Sequence, residues 1–361
     1  MIDGHNDLAW AMRELCNYDF DIADIGGRVD ALHTDITRLR EGQVTGQFWS
    51  VYVPSSMQGT AAVTATLEQI DFVYQMIERY PDTFALACSA DEVERVRTSG
   101  RIASMIGMEG GHSIDESLGV LRQMYALGAR YMTLTHNDNV PWADSATDEP
   151  VLGGLNEFGE EVVAEMNRLG MLVDLSHVSA DVMRHAIRVT RSPVIFSHSS
   201  ARALCDVARN VPDDVLHSLS VNGGLCMVTF VAEFVSQACT EWFSAAKGEL
   251  ASRGGNPNNW SEMTSFLQAW GAVNRPPLAT IDQVADHIEH VRDLAGVAHV
   301  GIGGDYDGCP NLPTGLEDVS GYPKLFQALR TRSWSEAEIE QLKSGNVLRV
   351  MRESERVAAA S

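Results

Sequence analysis

Cysteine is scarce in this 361-residue chain, and the six present, Cys16, Cys88, Cys205, Cys226, Cys239 and Cys309, include no Cys-x-x-Cys pair. That argues against a disulfide framework. Several lie in apolar runs and read as small buried hydrophobes in a reducing compartment. Positive charge is also in short supply: 27 Lys and Arg stand against 49 Asp and Glu, a formal charge of −22. Such a surface repels phosphate backbones and anionic lipid, so nucleic acid and membrane surfaces are excluded as expected partners. No apolar run reaches transmembrane length, and no basic-then-apolar leader opens the chain, because the strand-like Met1–Asp7 begins at once. The expectation is a cytoplasmic protein. No repeat, low-complexity tract or linker interrupts it, which predicts one domain over 1–361.

Hydrophobic residues make up 45% and charged residues 21%, an ordinary globular composition that can bury a large core without staples. Short β-type runs alternate with helical stretches throughout, the pattern of βα units on a parallel sheet. The predicted strands are Met1–Asp7, Gly46–Val53, Ile102–Glu109, Tyr131–His136, Leu172–His177, Val194–His198, Leu225–Phe230 and His299–Asp305. Eight is the number that closes a parallel barrel, so the fold class is α/β, a (β/α)₈ TIM barrel. Amphipathic spacing predicts helices over Ala61–Tyr80, Ser117–Leu127, Phe158–Leu169 and Asp282–Ala295, the last three followed by a glycine stop signal. Two features break the rhythm. Ala232–Pro277 is a long insertion between strands seven and eight, with Trp242, Trp260, Trp270 and the turn-rich Gly254–Asn259. It reads either as a lid or subunit contact over the barrel mouth or as a structural insertion. The tail, Ser335–Arg356, reads as two short helices.

Polar residues collect at the C-terminal ends of these strands, where a barrel of this kind carries its active site. A polar group inside a strand buried on both faces is costly unless satisfied. Strand one ends in His5-Asn6-Asp7, and side chains two apart share a face of a strand, so an imidazole and a carboxylate come together in a set that suits zinc. Strand three ends at Glu109, a carboxylate after an apolar run; a cation, bridged between two metals, or a salt bridge to arginine would satisfy it. Strands four, five and six each end on a histidine, His136, His177 and His198. Strand eight ends in Asp305, the candidate acid/base, among glycines that allow close backbone approach. Asp307 reads as a turn residue and His112 as a loop residue near the site. His33, His185, His217, His287, His290 and His299 read as structural or surface groups.

These residues carry a resemblance to a known family. Ile2-Asp3-Gly4-His5-Asn6-Asp7, Glu109-Gly110-Gly111-His112-Ser113, Leu134-Thr135-His136-Asn137, Pro141-Trp142-Ala143-Asp144, Asp174-Leu175-Ser176-His177, Phe196-Ser197-His198-Ser199-Ser200-Ala201, Arg209-Asn210-Val211-Pro212-Asp213 and Gly303-Gly304-Asp305-Tyr306-Asp307-Gly308 run in family order along the chain. The sequence resembles the membrane (renal) dipeptidase family of zinc peptidases within the amidohydrolase-like barrels, and especially its soluble bacterial members. The resemblance implies a dipeptide substrate, two Zn²⁺ per chain and a homodimer. It implies that His5 and Asp7 hold one zinc, that His177 and His198 hold the other, and that Glu109 bridges them. It further implies that His136 meets the scissile carbonyl oxygen, that Arg209 binds the substrate carboxylate, and that Asp305 moves a proton for a hydroxide shared by the metals. The alternative is an amidohydrolase-type enzyme acting on another carboxylated amide, a β-lactam or a lactone, because fold and metals are shared across chemistries.

Overall fold

The computed structural model describes residues 1–257 and 260–360; Asn258 and Asn259 of the turn-rich stretch lie outside the described residues. Among the described residues nine strands form: β1 Ile2–Asn6, β2 Gly46–Tyr52, β3 Phe84–Leu86, β4 Ile102–Glu109, β5 Ala129–Thr133, β6 Leu172–Asp174, β7 Val194–Phe196, β8 Leu225–Val228 and β9 Val300–Ile302. Eight follow the order β1-β2-β4-β5-β6-β7-β8-β9, all parallel. The ring closes where the Asp305 amide donates to the His5 carbonyl (3.2 Å) and the Asp7 amide to the Tyr306 carbonyl (2.9 Å). The result is the parallel eight-stranded α/β barrel that the strand count predicts. The three-residue β3 was too short to stand out in the sequence. It pairs with the first residues of β4, Ile102–Ser104, on the same edge that β5 takes from Ile106 onward.

Side-chain parity along the strands explains the core. Phe48, Met105, Tyr131, Leu172, Ile195, Leu225 and Met227 form the interior cluster with Ile2. Their neighbours Trp49, Ile106, Met132, Val173, Val194, Cys226 and Val228 pack outward with the helices. This is the period-two alternation of a strand, with both faces apolar because both are covered. The interior cluster continues into Val347, Leu348 and Met351 of the helix Asn346–Ala359, which seals the N-terminal end of the barrel. That helix is 14 residues long and follows Glu336–Glu340 through a π-turn, so the tail is one short and one long helix. The insertion folds as the helices Ala232–Val235, Gln237–Ser252 and Trp260–Val273. The last two share a small core of Ala246, Leu250, Met263 and Leu267, with Trp242 and Trp270 against it. No helix among the described residues is long and apolar enough to cross a membrane.

Several strands stop earlier than their sequences suggest. β5 ends three residues before His136, β6 three before His177, β7 two before His198 and β9 three before Asp305. His177 (φ 68°) and Asp305 (φ 62°) adopt the left-handed conformation, which no strand accommodates. The chemical residues therefore sit on the first turns beyond the strands. Asp7 likewise lies just past β1, as the residue preceding the helix Leu8–Cys16.

Glycine is required just beyond β9, where the chain runs against the turn after β7: a Cβ on Gly303 would lie 1.8 Å from the Ser197 carbonyl oxygen. Gly303→Ala must push two strand ends apart, and a urea titration should show a loss of about 1–3 kcal/mol or more, the usual cost of overpacking.

Candidate metal centre at the barrel mouth

The interior parity that carries apolar side chains through the lower barrel continues upward as a polar layer. Ser50 on β2 follows Phe48, Glu109 on β4 follows Met105 and Gly107, Thr133 on β5 follows Tyr131, and Asp174 on β6 follows Leu172. The Asp174 carboxylate accepts from Thr133 Oγ1 (2.5 Å), Ser197 Oγ (2.6 Å) and the amides of Ser176 (3.1 Å) and Ser197 (2.8 Å), tying the ends of β5, β6 and β7 together.

Above that layer the predicted residues converge around Glu109. Its Oε2 lies 3.2 Å from His5 Nε2 and accepts from Ser50 Oγ (2.9 Å). Its Oε1 lies 2.9 Å from His177 Nε2, 3.5 Å from His198 Nε2 and 3.7 Å from His136 Nε2. His5 Nε2 is 3.3 Å from Asp7 Oδ2 and 3.9 Å from Asp305 Oδ1, and the Nε2 atoms of His177 and His198 are 2.9 Å apart. Three overlapping groups have all their donor atoms within 4.8 Å of one another: His5, Glu109 and His198; Glu109, His136 and His177; His5, Asp7 and Asp305. The structure thus gathers seven of the eight candidates into one cluster, with Arg209 beside it.

Burial sharpens the electrostatics. It works against ionisation of Glu109, yet His5, His177 and His136 outweigh it and hold the carboxyl well below the usual range. Burial likewise opposes charge on His5, but Tyr131, Glu109 and Asp7 push its pKa well upward. Burial, with Arg209 nearby, holds His177 and His198 well below normal, and burial brings His136 down to about 4. Asp305 is pushed well above the carboxylate range by burial and by the neighbouring Asp7.

The donor set fits divalent metal. His5 Nε2 and Asp7 Oδ1 are buried without a hydrogen-bond partner. Seven imidazole or carboxylate groups bring their donor atoms together in three overlapping sets, an arrangement costly without a cation and matched to zinc-type chemistry. Each oxygen of Glu109 faces a different set of donors, so the carboxylate is placed to serve two ions. The backs of two of the imidazoles are held as those of metal ligands usually are, whereas Nδ1 of His136 and of His177 has no partner among the described residues. His5 Nδ1 meets the Tyr131 hydroxyl (2.7 Å), and His198 Nδ1 meets Ser197 Oγ (2.8 Å). Tyr131 reaches His5 across Gly107, where a Cβ would lie 2.0 Å from its ring. These supporting residues were missed in the sequence, although the strand parity that places Ser50, Tyr131 and Ser197 inward was readable there.

Arg209 is 3% exposed, donates to Ser199 Oγ (3.2 Å) and the His198 carbonyl (3.3 Å), and makes no ion pair among the described residues. Burial lowers its pKa to about 10, still charged at neutral pH. His112 Nε2 donates away from the cluster, to the Val53 carbonyl (2.9 Å). Asp307 accepts from the His33 amide (2.6 Å) and returns its own amide to His33 Nδ1 (3.0 Å), the turn role expected of it.

The loop after His136 braces two of the histidines. Ser145 Oγ donates to the His136 carbonyl (2.6 Å), and the Ala146 amide donates to the His177 carbonyl (2.7 Å). The buried Asp144 carboxylate gathers the amides of Val151, Leu152 and Gly153 at 2.7–3.1 Å. The Asp144 carbonyl accepts from Ser179, just beyond His177 (2.9 Å).

A parallel barrel with histidines and carboxylates packed at the C-terminal ends of its strands defines the class of metal-dependent hydrolase barrels. Within that class the chain belongs to the membrane dipeptidase family (Peptidase family M19), which it matches over residues 1–361. It is 42% identical to dipeptidase 3 of Macaca fascicularis and 41% identical to that of Homo sapiens, over the whole of this chain and 66% of each relative. The chain therefore spans about two thirds of the length of these curated relatives. Two solved structures share the fold. The probable dipeptidase PvdM of Pseudomonas aeruginosa has a TM-score of 0.84 at 22% identity, covering 99% of this chain and 96% of that one. A metallo peptidase of Rhodobacter sphaeroides, solved with a phosphinate mimic of the dipeptide L-Ala-D-Ala, has a TM-score of 0.80 at 22% identity, covering 98% of each.

Asp144→Ala removes the carboxylate that gathers three amides. Stability in urea should fall by about 1–3 kcal/mol, with Asp144→Asn falling less, because the amide oxygen still accepts. An unchanged midpoint for the alanine variant would show that the loop holds itself.

Proposed function

We propose that this chain, acting as one unit over 1–361, is a zinc-dependent dipeptidase with two Zn²⁺. His5 and Asp7 would hold one ion, His177 and His198 the other, and Glu109 would serve both. When bound, the metals would supply Lewis-acid polarisation of the peptide carbonyl and lower the pKa of water from ~15.7 to about 7. The observation that carries the substrate reading is Arg209. A buried guanidinium beside the cluster, without a carboxylate partner among the described residues, favours an incoming carboxylate that its fork can bind through both oxygens. Held there, the substrate carboxylate would set the scissile bond one residue away, over Glu109, which selects dipeptides.

The other residues divide the remaining work. His136, kept largely neutral by burial, would donate a hydrogen bond to the developing oxyanion. Asp305 lies 3.9 Å from His5 Nε2, and its raised carboxyl pKa suits a group that takes a proton from water and passes it to the leaving amine. Dipeptides with a C-terminal D-residue belong within this proposal, a reading suggested by the mimic bound to the Rhodobacter neighbour. A homodimer in the cytoplasm completes it.

Two experiments test these roles. Arg209→Ala should raise KM for dipeptides by at least about 10-fold, the equivalent of ~1.4 kcal/mol of lost binding, and affect an amide without a carboxylate far less. Equal losses on both would remove Arg209 from substrate recognition. Glu109→Gln should lower the content of both metals by mass spectrometry, whereas Asp305→Asn should keep both and lose kcat. If Asp305→Asn sheds metal instead, Asp305 is a ligand rather than the proton carrier.

A further inference from the structure

A cavity of about 250 Å³ opens on the same end of the barrel as the cluster around Glu109, between the insertion and the loop after β9. None of the cluster residues around Glu109 lines it. Its walls are largely apolar: Trp242 from the helix Gln237–Ser252, Pro276 and Pro277 from the end of the insertion, and Pro310 and Leu312 from the loop after β9. Two carboxyl groups, Glu233 and Glu317, line it too, and no lysine or arginine does.

Glu233 is the informative residue. It is 6% exposed, and its side chain accepts one hydrogen bond, from Asn311 Nδ2 (2.9 Å). It forms no direct ion pair among the described residues; the ammonium of Lys247 acts on it only from a distance and stands over the Phe243 ring, 5.0 Å from its centroid. His33, the remaining nitrogen base at the wall, directs Nδ1 to the Asp307 amide. Burial pushes the Glu233 carboxyl upward. A carboxylate buried without a cation in contact is costly, and an aromatic wall favours a cation as well. The complementary guest is a positive nitrogen on a short apolar body.

We propose that this cavity binds small organic ammonium ions, with Glu233 as counter-ion and Trp242 and the prolines packing against the carbon chain. The cavity stands apart from the metal ligands, so the proposal does not depend on the catalytic reading.

Titration of the metal-loaded protein with n-butylammonium chloride, followed by tryptophan fluorescence and calorimetry, tests it. Saturable binding is expected, with 1-butanol weaker by about 10-fold because it lacks the charge. Glu233→Gln should erase that preference while dipeptide turnover stays within about twofold, and Trp242→Phe should remove the fluorescence change. If Glu233→Gln does not fold, Glu317→Gln provides the same comparison, and should weaken the amine relative to the alcohol. Equal binding of amine and alcohol would overturn the proposal, leaving an apolar cavity only. So would amine binding that survives the glutamate substitutions, or that disappears after chelation, which would put the amine on the metals.

Discussion

The structure turns on one buried carboxylate. Glu109 sits at the end of an eight-residue strand with every residue buried, ringed by four histidines and a serine hydroxyl. A negative charge placed there stays ionised because imidazole groups surround it, and the imidazoles in turn stay close because the charge draws them in. Much of the barrel mouth follows from that balance. Tyr131 steadies His5, Ser197 steadies His198, and the 139–155 loop fastens the backbones of His136 and His177. The need to place five donors around one carboxylate accounts for left-handed backbone at His177, a conformation that an ordinary turn would give to glycine or asparagine.

How much of this the sequence discloses depends on what kind of signal each residue leaves. A histidine or aspartate after an apolar run is conspicuous, because a strand covered on both faces leaves little room for polar groups. That is why His5, Glu109, His136, His177, His198 and Asp305 stood out, and why eight strands could be counted. The exact ends were hidden: apolar runs such as Leu134 and Leu175 continue past the last ladder pair, and only the backbone reveals that Asp174 rather than His177 terminates β6. The supporting residues were hidden for a different reason. Ser50, Tyr131 and Ser197 are polar residues that fit a strand without comment, and only the parity relative to Phe48, Tyr131 and Ile195 shows that they face inward toward the cluster.

Arg209 belongs to a third kind, a residue whose meaning lies in what it does not touch. Its spacing in the sequence is unremarkable, and its importance came from family likeness. In the fold its isolation becomes physical: a guanidinium 3% exposed, held by a hydroxyl and a carbonyl, over the Phe234 ring. The same contrast separates it from Arg332, which faces three carboxylates on the surface and needs nothing further.

The closure of the barrel has a consequence for assembly. His5 and Asp7 are fixed by hydrogen bonds to Tyr306 and Asp305, three hundred positions further along the chain. During synthesis these first site residues to emerge therefore wait for the last strand before their geometry exists. The low-numbered strands can pair with one another earlier, but the seam between β1 and β9 is a long-range contact of the slowest kind to form. A metal held by His5 and Asp7, as proposed, would thus be captured late in the maturation of this chain, on completion of the ring rather than on the local folding of either end.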